Sequence, residues 1–369
     1  MSSTDSAIQP PSDTLRRGFD DVAAPSIAAV KAQLEQNPPF NERWALFRAA
    51  AKAANSEAAE LLGAAMQGEK DSGIRYMTAG LLRDIAKSAP ETAGMATEAI
   101  AKTLGKETDA YARRSMELSL ADIAAAAPET APTAAKAVAA NLSKPSDALT
   151  RSLQAGQVAD FVATAPAAAA QVLGAVTEAF AQEKEKLAAH HLARALVSIA
   201  AADETLRPAV ISTMITALAT PPSQANPVEK TFAAASALHS IGQRAPTEIT
   251  QALAQQLTQG TQGDNSRRLC ILGLGAFAEA DKDCAKTAAK ALLKALTSEG
   301  DALHRRHIVD GVMKAVHNGF SSQSAGGAFY AHLNARERDR ETREKISRSL
   351  RQLGHKTPAV PMSIPAPKA

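Results

Sequence analysis

Aromatic residues make up only 4% of this 369-residue chain, and tryptophan occurs once, at Trp44. That scarcity excludes a core built on large rings and a platform on which nucleic-acid bases stack. Cysteine is equally sparse. Cys270 and Cys284 form no CxxC pair and no pattern with histidine, so neither a disulfide framework nor a cysteine-based zinc site is expected. Two free thiols point to a reducing compartment. No run of 18 apolar residues occurs, so no membrane-spanning helix is expected. The opening MSSTDSAIQPPSD has no basic stretch followed by an apolar one, so no secretory signal is read there, and a cytoplasmic protein is the expectation. Charge of one sign is not in excess either. The 41 basic and 38 acidic residues leave +3, short of the footprint of a strongly basic nucleic-acid binder.

What the chain does contain is alanine and an internal repeat. Alanine favours helix and adds little bulk, which suits closely approaching helices stacked in a row. Large apolar residues recur at Ile85, Ile123, Phe161 and Ile199 in steps of 38, then at Ile241 after 42 and Phe277 after 36. A second column sets an acid four residues before a base: Asp71/Arg75, Asp109/Arg113, Asp147/Arg151, Asp264/Arg268 and Asp301/Arg305. Asn226/Lys230 is its polar variant, and at Glu185/Ala189 it is degenerate. A third column pairs apolar residues four apart, as in Ile100/Leu104, Val138/Leu142, Val176/Phe180, Met214/Leu218, Leu253/Leu257 and Leu292/Leu296. Each unit reads as two helices. The first starts near an Ala-Pro-Glu step, where proline fits the first turn and glutamate complements the dipole. The second carries the arginine and ends on the first column. Neither can bury its apolar stripe alone, so neighbours must stack.

The segment Ile74–Ile85 (IRYMTAGLLRDI) resembles the second helix of a HEAT repeat. The resemblance covers roughly residues 21–320. It implies an all-α, right-handed α-α superhelix of about seven helix pairs. It also implies a structural ladder in which Asp71, Asp109, Asp147, Asp264 and Asp301 cap second helices and meet the arginines of neighbouring units. The slot before Ala189 departs from this pattern, as does the proline-rich turn Thr220–Pro227. Residues 1–20 read as a disordered segment, 321–327 (SSQSAGG) as a flexible linker, 328–353 as one charged amphipathic helix and 354–369 as a proline-rich tail.

Candidate chemistry is thin. Recurrence of the Asp/Arg pairs once per unit favours structure over acid–base catalysis, because catalytic groups occur once and converge. The repeated His-Glu pairs of HEAT-like di-iron hydroxylases are missing, as are the clustered tryptophans of HEAT-like DNA glycosylases. His304 and His307 sit three apart but have no third ligand at clear spacing, so neither a metal nor a cofactor is expected. Cys284, beside Lys282 and Lys286, is expected to be the more reactive thiol. Arg114, His191, Arg194, Arg267 and Arg306 are the candidate partner-binding residues, lying on second helices next to ladder positions. The sequence therefore favours a non-enzymatic scaffold or adaptor that binds a protein or peptide partner on the concave face of the solenoid, with an acidic partner compatible with those bases. A nucleic-acid-associated protein and a HEAT-like enzyme with an unrecognised site stay open as alternatives.

Overall fold

In a computed structural model, residues 26–144, 147–220, 228–259, 263–335 and 337–356 are described. The expected N-terminal segment 1–20, most of the turn Thr220–Pro227 and most of the tail 354–369 lie outside them. The described chain is all-helical with no strand.

It divides into two compact units, Met1–Ala134 and Ala135–Ala369. The first contains α1 (Ile27–Leu34), α2 (Phe40–Ala51), α3 (Ser56–Gly68), α4 (Ser72–Ser88), α5 (Ala93–Leu104) and α6 (Ala110–Ala126). The division falls inside α7 (Ala131–Leu142). The second unit then contains α8 (Ala148–Thr164), α9 (Ala169–Gln182), α10 (Lys186–Ala202), α11 (Arg207–Ala219) and α12 (Val228–Gly242). It continues through α13 (Pro246–Gln259), α14 (Asp264–Ala280), α15 (Lys282–Leu296), α16 (Ala302–His317), α17 (Ser322–Ala335) and α18 (Arg340–Gln352). Odd and even helices pair. In the first unit α1, α3 and α5 pack in one layer and α2, α4 and α6 in another. In the second unit α9 to α17 form the odd layer and α8 to α18 the even one. Each unit is thus an α-solenoid of stacked helix pairs.

The periodic columns explain this. All six residues of the 38-residue apolar column and all twelve of the paired column are buried, from Ile123 at 0% exposure to Leu142 at 8%. Each fully buried Leu, Ile or Phe removes enough apolar surface to contribute about 1.5–3 kcal/mol. Helix ends are written locally. Ala89, Ala127 and Ala165 precede prolines, leave helical geometry at φ between −132° and −122°, and end α4, α6 and α8. A short 3-10 turn then opens each following helix, as at Pro90–Thr92, with the buried Thr92 hydroxyl donating to the Ala89 carbonyl.

Two expectations change at the C-terminal end. Ser321–Gly327, read as a linker, lies almost wholly in α17, and the single helix expected over 328–353 is broken at Glu337–Asp339 into α17 and α18. Gly326 is there for close packing, since a Cβ would overlap the His355 ring. Burial of Ala325, Phe329 and Leu333 outweighs the modest helix cost of glycine. The described residues thus make eighteen helices, of which eight consecutive pairs pack together, where about seven pairs were expected.

Candidate functional site

The charged columns meet in the turns between paired helices. Asp71, Asp109, Asp147 and Asp301 each cap a second helix, accepting from the N–H three residues on at 2.8–3.0 Å. Such caps contribute about 1 kcal/mol each. The arginines do not pair chiefly with these aspartates. Arg75 forks onto Glu107, Nε to Oε2 at 2.6 Å and Nη2 to Oε1 at 2.9 Å. Its Nη1 also donates to the carbonyls of Glu69 and Lys70 in its own turn. The pattern repeats 32 residues apart in Arg151–Glu183, Arg267–Glu299 and Arg305–Glu337, and Arg43 meets Glu69. Each arginine thus ties one turn to the next.

Those glutamates, not singled out in the sequence, are the centres of the ladder. Glu107 Oε1 also accepts from the N–H groups of Thr108 and Asp109, and Glu183 does the same with Lys184 and Glu185. Burial pushes the carboxyls of Glu107, Glu183, Glu299 and Glu337 up, but their arginines and the turn N–H groups outweigh it and hold all four below their ordinary value. The signal was present in the sequence as a glutamate two residues before the capping acid.

Two ladder assignments shift. Asp264 is not a cap: Gly263 takes that position, and Asp264 lies exposed in the first turn of α14. The arginine in register is consequently Arg267, not Arg268. Arg267 Nε lies 2.5 Å from Glu299, its side chain only 17% exposed, so it is withdrawn from the partner-binding set while Arg268 is exposed. Arg113 has no carboxylate partner among the described residues, and the position 32 further on is Pro145. At the degenerate slot Ala189 is buried. Lys230, 3% exposed, reaches back to the Ala181 carbonyl at 2.7 Å and lies 5.9 Å from the centre of the Phe180 ring.

Of the remaining candidate bases, two are already ion-paired, and His191 lies beside one of them, Arg194. Arg194 pairs with Asp160 at 2.9 Å and donates to the Gly156 carbonyl. Arg306 is paired with Glu341. His191 is half-buried, and burial, followed by the charges of Arg194 and His190, pushes its pKa down. Arg114 is exposed. Cys284 also departs from expectation. It is 1% exposed, and burial raises its thiol pKa, as burial raises that of Cys270 to about 12.

A feature invisible in the charge pattern runs along the even layer. Among the described residues twelve large apolar side chains are exposed, and ten of them lie on even-numbered helices. In the first unit these are Phe40, Tyr76, Tyr111 and Leu118. In the second they are Leu149, Leu153, Leu187, Phe232, Leu272 and Leu303, on five successive even helices. Tyr111, Leu149 and Leu187 share the same repeat position, two residues after Asp109, Asp147 and Glu185, at 83%, 65% and 57% exposure. Among the described residues no group of three or more His, Cys, Asp or Glu could hold a metal ion. Among them, too, no single helix is long and apolar enough to cross a membrane. One bent pair, Leu149–Thr164 with Pro166–Gln182, passes by length and composition only.

No family model and no curated protein matches the chain. Solved structures with similar backbones include a crystal structure of an engineered protein, at 17% identity and a TM-score of 0.35, covering 84% of this chain and 95% of that one. A homology model of the full-length AP-3 complex in an intermediate open conformation is similar at 11% identity and a TM-score of 0.38. That match covers 81% of this chain, which spans 63% of its counterpart's length.

Proposed function

We propose that this protein is a non-enzymatic helical-repeat scaffold that docks a protein or peptide partner on the exposed face of its even-numbered helices. The observation that carries the reading is the alignment of exposed Leu149, Leu153, Leu187, Phe232, Leu272 and Leu303 on successive even helices of the second unit. A single exposed leucine is ordinary. A row of them in one layer, bordered by ion-paired charges, gains free energy when covered. Neighbouring packed helices lie about 8–10 Å apart, so a partner segment presenting apolar anchors at that interval fits the row. Charge recognition is the weaker feature of this face, because Arg194 and Arg306 are already paired and Arg267 belongs to the ladder. That pairing counts against the nucleic-acid alternative. The ion pairs recur from turn to turn without converging on a cleft, which supports binding over catalysis.

The test compares partners recovered by the wild-type protein, by a Leu149→Asn/Leu187→Asn/Phe232→Asn variant and by an Arg114→Glu/Arg306→Glu variant. Circular dichroism checks that each is folded. The apolar variant is expected to lose the partners that the charge variant keeps. Identical recovery by wild type and the apolar variant refutes the reading. Retention on DNA or RNA columns at low salt, lost only in the charge variant, favours nucleic acid instead.

A further inference from the structure

The odd layer of the second unit carries a different surface. Lys282, Lys286, Lys290 and Lys294 recur at every fourth residue along α15, and all four are exposed. At 1.5 Å per residue the row is about 18 Å long. Among the described residues none of the four has an ion-pair partner. Other bases of this unit do: Lys314 lies 2.5 Å from Glu279, Lys345 2.5 Å from Asp310 and Arg207 3.0 Å from Glu248. The odd-layer neighbours of α15 supply no compensation, and on the even helices packed against it Glu279 and Asp310 are engaged by Lys314 and Lys345. The only acid on α13 is Glu248, already engaged by Arg207. The residues of α17 include no acid. On α15 itself only Asp283 is acidic. Like charges four apart on a helix repel one another, so the row lowers its own energy when carboxylates come to it.

Beside the row lies a shallow, open groove of about 320 Å³ between α13 and α15. Gln255 and Thr258 form one wall, Thr287, Lys290 and Lys294 the other, with Ala291 among its lining residues. From these features we infer that the α13–α15 groove is a second docking site, for an acidic segment of a protein partner whose carboxylates repeat at helical spacing. The choice of a peptide over other polyanions follows from the lining. Lysine offers a point charge and not the planar fork that grips phosphate in two places. The groove has no aromatic side chain to stack a base. The apolar face of α15 is buried, from Ala285 to Leu296, which leaves nothing to insert into a lipid surface. The glutamine and threonine side chains can hydrogen-bond a backbone laid along the groove, and the small Ala291 leaves it room.

The site is independent of the even-helix face, so the two proposals fail separately. The probe is a fluorescein-labelled alanine-based helical peptide with glutamate at every fourth position, titrated with the full chain and followed by anisotropy. Controls are the same peptide with glutamine for glutamate, a single-stranded oligonucleotide of equal charge, and vesicles containing anionic lipid. The expected result is binding of the acidic peptide at about 20 mM salt, weakening steeply by about 300 mM, with no binding of the glutamine peptide. Lys290→Glu/Lys294→Glu should weaken it by at least about tenfold, and Lys290→Gln/Lys294→Gln by less. Lys31→Glu on α1 should leave it unchanged, as should the Leu149→Asn/Leu187→Asn/Phe232→Asn variant. Equal affinity of wild type and the Lys290→Glu/Lys294→Glu variant overturns the proposal. So does tighter binding of the oligonucleotide or the vesicles that depends on the same two lysines.

Discussion

Replacing Glu107 by glutamine isolates one rung of the ladder. The side chain is fully buried, and its carboxylate takes four hydrogen bonds: two from Arg75 and two from the turn that starts α6. Glutamine keeps one carbonyl oxygen, which can still accept the N–H groups of Thr108 and Asp109. Its amide NH2, however, then faces Arg75 Nε, a donor against a donor. Two charge-assisted bonds are lost or weakened, each contributing about 1.5–3 kcal/mol. Arg75 is 17% exposed and keeps the Glu69 and Lys70 carbonyls, so water and backbone recover part of the loss. The expected cost is about 2–3 kcal/mol. Glu107→Ala removes the acceptor for the turn as well and should cost about 3–5 kcal/mol, the range for a broken buried pair. Denaturant unfolding followed by far-ultraviolet circular dichroism gives the loss, and hydrogen exchange gives its place. Exchange should quicken at Thr108 and Asp109 in the alanine variant and much less in the glutamine one. If Glu107→Gln unfolds within about 0.5 kcal/mol of wild type, the rung is an ordinary surface pair and the turn-to-turn argument fails.

Acid should weaken the protein from two sides. The folded state lowers the pKa of Glu107, Glu183, Glu299 and Glu337, so their contribution is present above the ordinary carboxylate pKa of about 4.3 and is lost as pH falls below it. His191 and His307 are also lowered, mainly by burial, so a smaller decline begins as pH falls through about 6.5. Thermal melts between pH 3 and 8 check both, and a midpoint that rises towards pH 3 refutes the sign. Gly242→Ala should cost about 1–3 kcal/mol because the new Cβ would overlap the Phe277 ring, whereas Gly80→Ala, with open space around it in α4, should stabilise by about 0.4–1 kcal/mol. Denaturation midpoints moving in opposite directions are the readout. Asp109→Ala removes the α6 cap and should cost about 1 kcal/mol by the same measurement. Cys270 and Cys284 should alkylate slowly in the native protein and quickly in denaturant, and fast native labelling of Cys284 contradicts its burial.

The helices were legible because burial repeats with the period of the sequence: Ile85, Ile123, Phe161 and Ile199 are core residues at one structural position. The ladder was half legible. Spacing of four within one helix is visible, but the glutamate that receives each arginine lies 32 residues away, and only the fold joins them. The doublet Arg267-Arg268 shows the limit, since sequence register favours Arg268 while the one-residue shift of the cap to Gly263 presents Arg267. The last pair, α17 and α18, was missed for a compositional reason. Gly326-Gly327 looked flexible, and the run of charges in Arg336–Arg351 masked Asp339 and Arg343, which follow Asp301 and Arg305 by the same 38 residues. Asp339 caps Thr342, and Arg343 donates to the Glu337 carbonyl, as in earlier turns. The exposed apolar row had no clear signal, because a leucine on an amphipathic helix reads as core until its exposure is known.

The ladder and the two proposed surfaces are linked by how charge is distributed. Taking an arginine and a glutamate out of water in each turn is repaid only where the fork and the turn N–H groups are all satisfied. Where the arginine is missing, the same need is met differently. Ala189 leaves the turn before α10 without its own base, and Lys230 extends to the Ala181 carbonyl there, with Glu183 the one nearby charge opposing the desolvation that lowers its pKa. Connections between pairs are thereby fixed by the turns and the buried columns, and the exposed faces carry little of that work. The even layer can then expose Leu149, Leu187 and Phe232, and α15 can hold four like charges in a row. Either feature would be a liability in a helix whose exposed face had to hold its neighbour. Here both lie on positions that the stacking does not use, which is where a scaffold can vary its partner without losing its fold.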